Sequence, residues 1–164
     1  MYKKILVPLD GSKLAECVLP HLEALATCLA GAEVILVSVT ERVTGYRVIE
    51  DYTEPFGERL VPSSGERLVP EAVGKQEKQA QKYLDKIAKT LEAKGIKART
   101  EVLLGKPAEE IMLYAANKGC DLIIMASHGR SGLSRWAHGS VVDKVFKATA
   151  VPILMIKTKG YSGD

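Results

Sequence analysis

Short apolar runs alternate along this chain with longer stretches whose apolar residues recur every three or four positions. The runs cover residues 3–9, 33–40, 98–104, 120–126 and 151–157. They are rich in Val, Ile and Leu, and each predicts a buried β-strand. Between the first two, Leu14, Val18, Leu22, Leu25 and Leu29 predict a helix from residue 13 to about 29, with a kink at Pro20 and a stop at Gly31. Ala80, Leu84, Ile87 and Leu91 line one face of a second helix over 77–94, which Gly95 ends. Pro107, Glu109 and Glu110 have the character of a third helix's first turn, and Gly119 closes it. Val141, Val145 and Ala148 form the stripe of a fourth helix over 140–148.

The order is β-α-β-α-β-α-β-α-β. Helices between successive strands demand crossover connections, hence an α/β fold with an open, doubly wound parallel sheet and helices on both faces. Such a sheet binds ligands outside the carboxyl ends of its strands, where neighbours diverge. Only residues 41–70 break the rhythm. They are polar, punctuated by Gly and Pro, and contain a direct repeat, Gly-Glu-Arg-Leu-Val-Pro at 57–62 and again at 65–70. Two copies cannot form a solenoid. A local duplication in a tolerant surface loop and a docking or lid segment are both readings of this stretch.

Composition narrows the function classes. A chain of 164 residues fits one domain able to bury a real core. Apolar residues make up 46% and charged residues 26%, as in an ordinary soluble protein. The net charge of +3 is dispersed and aromatics are 5%, which gives no footprint for nucleic acid. Cys17, Cys28 and Cys120 form no C-x-x-C pair and no ligand cluster, so free, mostly buried thiols are expected rather than a metal site. No apolar run reaches the roughly 18 residues of a membrane helix, and no signal peptide precedes the first strand, so a cytoplasmic location is expected.

Two strand ends carry candidate chemistry. The first strand runs into Pro8-Leu9-Asp10-Gly11-Ser12, and the fourth into Met125-Ala126-Ser127-His128-Gly129-Arg130-Ser131-Gly132. A strand, a glycine-bearing loop and a helix start present backbone N–H groups to an anion, which makes phosphate the first ligand to consider. The P-loop pattern G-x-x-x-x-G-K-[ST] and the dinucleotide pattern G-x-G-x-x-G are both absent. A receiver-like reading lacks its acidic pair after the first strand.

The chain resembles the universal stress protein family, whose nucleotide-binding members carry G-x-x-G-x(9)-G-[ST]. The pattern reads here as Ala126-Ser127-His128-Gly129, nine residues, then Gly139-Ser140. The likeness extends to the opening Lys3-Lys4-Ile5-Leu6-Val7-Pro8-Leu9-Asp10-Gly11-Ser12 and the closing Val151-Pro152-Ile153-Leu154-Met155-Ile156. It spans residues 1–158 as one domain, with 41–72 as a variable insertion and 159–164 as a tail. One position departs: Ala126 stands where the family has its first glycine, adding a single methyl.

The resemblance implies the adenine nucleotide alpha hydrolase-like, Rossmann-like fold with strand order 3-2-1-4-5. It also implies binding of ATP, or AMP or ADP, with Mg²⁺ available to bridge phosphates through water ligands. Pro8, Leu9, Asp10, Ser12 and Val39 would belong to the adenosine end, and Met125 and Ala126 would flank the ribose or base. Gly129, Gly139, Ser140 and Val141 would hold the phosphates, Ser140 and Val141 at a helix N-terminus. Apart from the resemblance, the charge of Arg130 or Arg135 in the same loop would suit the terminal phosphates. Alternatives stand beside these roles. Asp10, Ser12 and Ser140 are also good helix caps, Gly129 and Gly132 serve simple turns, and His128 orients a loop or acts as a base.

The implied function is a stress-response sensor or regulator that binds an adenine nucleotide and a protein partner. Homodimerisation is expected through the last strand, Val151 to Ile156, if that strand lies at the sheet edge. The alternatives are a slow ATPase or phosphotransferase using the same pocket, and an interaction protein that binds no nucleotide. The phosphate loop from Ser127 to Ser140 holds no acid to position water, which points away from efficient hydrolysis.

Overall fold

A strand buried on both faces needs apolar residues at consecutive positions, and β1 (Lys4–Pro8) has them: Ile5, Leu6 and Val7 are completely buried. The structure, a computed structural model, describes residues 2–29, 31–40, 70–128 and 141–158. Around β1 stand β2 (Glu33–Thr40), β3 (Ala98–Leu104), β4 (Leu122–His128) and β5 (Ile153–Thr158), all paired in parallel in the order β3-β2-β1-β4-β5. The expected α/β architecture and strand order are therefore observed.

Alternation along the strands divides the core into two layers. Ile5, Val7, Leu9, Val34, Leu36, Leu122 and Ile124 face one side. There they meet Val18 and Leu22, at the start of and within α1 (Leu19–Cys28), and Leu84, Ile87 and Leu91 of α2 (Pro70–Glu92). Leu6, Ile35, Val37, Ile123 and Met125 face the other side, against Ala108, Ile111 and Ala115 of α3 (Pro107–Lys118) and Val145 of α4 (Val141–Ala148). Cys120 is buried in this second layer, and burial pushes its thiol pKa up.

Edge strand β3 shows alternating half-buried and exposed residues over most of its length. A side-chain network clips α2 onto it: the Gln81 amide donates to Asp85 at 2.7 Å and to Thr100 at 2.8 Å, and the Thr100 hydroxyl donates to Asp85 at 3.0 Å.

Several expected boundaries move. The first helical stretch is two pieces, a 3-10 turn at Ala15–Val18 followed by α1. Pro20 lies in the first turn of α1, where its missing N–H needs no partner, so it starts a helix rather than kinking one. The helix stops at Cys28, three residues before Gly31. Helix α2 begins at Pro70, inside the stretch expected to be insertion, while the repeated segment up to residue 69 lies outside the described residues. Strand β4 is displaced two residues toward the carboxyl end relative to expectation. Cys28 is exposed, not buried, because it ends α1 on its outer side. Among the described residues, no helix is long and apolar enough to cross a membrane.

The amino end of β1 is pinned by one carboxylate. The Lys3 and Lys4 amides donate to the two oxygens of Asp121 at 2.8 and 3.0 Å, and the Asp121 amide donates back to the Lys4 carbonyl at 3.0 Å. These bonds join β1 to the residue that precedes β4. Asp121→Ala removes both acceptors and leaves two strand-start amides to water; a loss of about 1–2 kcal/mol is expected, measured by urea denaturation.

Candidate functional site

The site begins with a ladder that stops early. β1 pairs with β2 from Lys4–Glu33 to Pro8–Val37, and the Leu9 amide extends the bonding to the Val37 carbonyl at 2.8 Å. On its other side β1 pairs with β4 at Ile5–Leu122 and Leu6–Ile123, and the register then ends. Backbone parity supplies the reason. Lys3 and Leu9 bond toward β2 and Lys4 bonds toward β4, so the even-numbered positions face β4. Pro8 is the next even position after Leu6, and it has no N–H to donate. The two strands separate there, at the point where the sheet reverses its winding direction.

A cleft of about 330 Å³ opens in the gap, within the range of roughly 300–1,000 Å³ usual for small-molecule sites. It is lined by Pro8, Leu9, Asp10, Ser12, Val39, Met125, Ala126 and Val141, all of which were singled out from the sequence. It is lined as well by Leu14, Ala15, Val37, Pro107, Ile111 and Val142, which were not. The walls are apolar, with Asp10 and Ser12 as the side-chain polar groups among the described lining residues.

The missed residues had a signal. In a parallel crossover fold each helix starts at the carboxyl end of the sheet. The first turn of α3, with Pro107 and Ile111 four residues apart, and Val142 in the first turn of α4 were therefore bound to reach the same rim. Of the remaining expected residues, His128 ends β4, its backbone in register with Thr158. Gly129, Arg130, Gly139 and Ser140, with Gly132 and Arg135, lie outside the described residues.

The loop after β1 is built by its own side chains. Asp10 Oδ1 accepts the Ser12 amide at 2.9 Å, and Ser12 Oγ accepts the Ala15 amide at 3.0 Å. Gly11 sits between them at φ +83°, a conformation that favours glycine. Ser12 thus bonds to the first residue of the 3-10 turn while Asp10 holds the loop before it, and both residues also line the cleft. Ala126 is accommodated in an ordinary strand. It pairs with Ile156 and packs with it against the α1–α2 layer, so the sheet carries its methyl on the side away from Met125 and the α3–α4 wall. Among the described residues, no group of three or more His, Cys, Asp or Glu side chains is gathered to hold a metal.

A universal stress protein family model matches residues 1–157. Universal stress protein MJ0577 of Methanocaldococcus jannaschii is 36% identical over 159 residues, covering 97% of each chain. Its solved structure superposes with a TM-score of 0.74, covering 98% of this chain and 99% of that one. More distant solved structures have the same fold. One is a universal stress protein in complex with cAMP, 16% identical, with a TM-score of 0.59 over 96% of this chain and 98% of that one. Another is the universal stress protein from Archaeoglobus fulgidus in complex with dAMP, 19% identical, with a TM-score of 0.59 over 95% of this chain and 98% of that one.

The junction that delivers Pro107 and Ile111 to the cleft depends on Gly105. Its φ is +150°, and a Cβ built there would overlap the Glu110 carboxylate. Gly105→Ala is expected to cost about 1–3 kcal/mol in thermal or urea denaturation. Adding Glu110→Ala should recover part of that loss, because it removes the overlap but not the backbone strain.

Proposed function

The chain belongs to the universal stress protein family, and from that premise we propose that the cleft between β1 and β4 binds an adenine nucleotide, ATP or its mono- and diphosphates. The protein would act as a nucleotide-sensing regulatory module in a stress response. The observation that carries this reading is the convergence of Pro8, Asp10, Val39, Met125 and Val141 on one cleft at the reversal point of the sheet. Apolar walls from β2, β4 and α3 suit the faces of a purine, and Asp10 offers a carboxylate at the loop end. The complexes of two structural neighbours with cAMP and dAMP support an adenine nucleotide as the ligand class. Val141 opens α4, so Gly139 and Ser140 immediately precede a helix N-terminus, a favourable place for phosphate.

Binding is favoured over turnover. Asp10 is the one acid among the described residues lining the cleft, and its Oδ1 already accepts the Ser12 amide. A group committed to holding a turn is poorly placed to activate water as well. The dimer reading also has support. β5 lies at the sheet edge, Leu154 is 37% exposed, and Ile153, Met155 and Ile156 are half-buried. A second copy would cover this apolar edge.

Mass spectrometry of the small molecule released on denaturing purified protein is expected to find an adenine nucleotide. Calorimetric titration should then show ATP binding that Gly139→Val abolishes while the far-UV spectrum and melting temperature stay unchanged. Unaltered affinity in that variant would refute the phosphate assignment. Sedimentation should show a dimer, and Leu154→Glu should shift it to monomer by placing a charge in the covered edge.

A further inference from the structure

The net charge of +3 is dispersed along the sequence, but α2 gathers part of it into one line. Lys75, Lys78, Lys82, Lys86 and Lys89 follow one another at spacings of three or four residues, and all five are exposed. At about 3.6 residues per turn they fall within roughly 80° of the helix circumference and run for about 21 Å along its axis. Leu84, Ala88 and Leu91, which are buried against the sheet, stand opposite. Between Lys75 and Lys89 no acid falls on this line. Glu77 is half-buried on the far side of the helix, and Asp85, at the margin, is held by Gln81 and Thr100.

The arrangement costs the helix stability. Like charges three or four residues apart repel across its surface, and among the described residues none of the five lysines has an ion-pair partner. Other lysines of the protein do: Lys94 meets Glu23 at 2.7 Å and Lys106 meets Glu109 at 3.3 Å. The line also lies clear of the cleft and of the β5 edge. Among the described residues none of α2 lines the cleft, and α2 packs beside β3, at the opposite edge of the sheet from β5.

The shape of the charge selects the partner. A membrane presents a plane and favours apolar side chains that enter it. This line is one residue wide and holds lysine alone, with Gln79 and Thr90 beside it. A partner helix needs an apolar seam, which is absent for the same reason, and exposed ion pairs by themselves contribute little. A nucleic-acid backbone is itself a line of anions. Lysines that neutralise its phosphates release condensed counterions, which drives association without buried apolar area. Arginine forks and aromatic rings, which read base edges or stack on bases, are missing from the line, so contact stops at the phosphates. That favours a duplex, whose bases are already paired and whose charge is denser. We propose that the outer face of α2 docks the phosphate backbone of duplex nucleic acid, without regard to sequence, through Lys75, Lys78, Lys82, Lys86 and Lys89. The proposal stands whether or not the cleft holds a nucleotide.

The test titrates the full chain into a fluorescent DNA duplex of arbitrary sequence at salt from about 50 to 200 mM. Affinity should fall with salt at a log–log slope between about −4 and −5, which is about 0.9 for each lysine engaged. Lys78→Gln, Lys82→Gln and Lys86→Gln together keep the helix propensity. They should weaken binding at least about tenfold and flatten the slope by about three. Lys97→Gln, Lys106→Gln and Lys144→Gln together remove as much charge from exposed positions elsewhere. They should change the affinity by less than about twofold, since charges beyond a screening length contribute little. Equal losses in the two variants would overturn the proposal, because they mark attraction by net charge alone. So would wild-type protein that does not bind the duplex at the lowest salt. Tighter binding to vesicles of phosphatidylserine and phosphatidylcholine, or to polyglutamate, would overturn it too, giving the face to a membrane or to an acidic protein.

Discussion

The structure depends on the early end of one hydrogen-bond ladder. β1 is the central strand of the sheet, with side chains packed into both core layers and partners on both edges. Its pairing with β2 continues past Pro8, while its pairing with β4 ends at Leu6–Ile123. Proline at an even position places the missing donor on the β4 side and leaves the β2 side intact. At the amino end Asp121 takes both the Lys3 and Lys4 amides, so the strands are clamped at one end and released at the other. A cleft at the carboxyl end follows without any strand having to bend out of the sheet.

What fills the rim follows from the crossovers. Each helix starts at the carboxyl edge, so the first turns of α3 and α4 bring Pro107, Ile111, Val141 and Val142 to the same opening. Strand alternation sorts the rest. Met125 belongs to the α3–α4 layer and Ala126 packs on the opposite layer with Ile156, and both line the cleft.

Most of the architecture was legible because each strand is a run of consecutive apolar residues and each helix a stripe. β2, β3 and α3 have the expected boundaries, set by Glu33, Ala98, Pro107 and Gly119. The errors have local causes. Pro20 was read as an interruption because the 3-10 turn before it carries the same apolar spacing as a helix, and spacing alone does not separate the two. The start of α2 was hidden because residues 70–76 lack an apolar stripe, yet they extend a helix anchored farther along by Leu84, Ile87 and Leu91. In the cleft, the residues close to the two loop motifs were legible. Val37, Ile111 and Val142 were not, since each reads as ordinary core until topology brings its end of the element to the rim.

The two edges of the sheet are treated differently, and the difference bears on assembly. β3 carries exposed charges at Arg99 and Glu101, with Arg99 paired to Glu33 at 2.7 Å, and α2 is clipped along it through Gln81, Asp85 and Thr100. Charges at an edge make pairing with another strand unfavourable. β5 places no charge before Lys157; Leu154 is exposed, and Ile153, Met155 and Ile156 are half-buried. Pro152 directs its carbonyl to the Ile123 amide of β4 at 2.9 Å, so its missing donor lies on the paired side and leaves the open edge of β5 intact. A partner at this edge would therefore gain both from extending the sheet and from burying apolar side chains, and a second copy of the same strand would offer both.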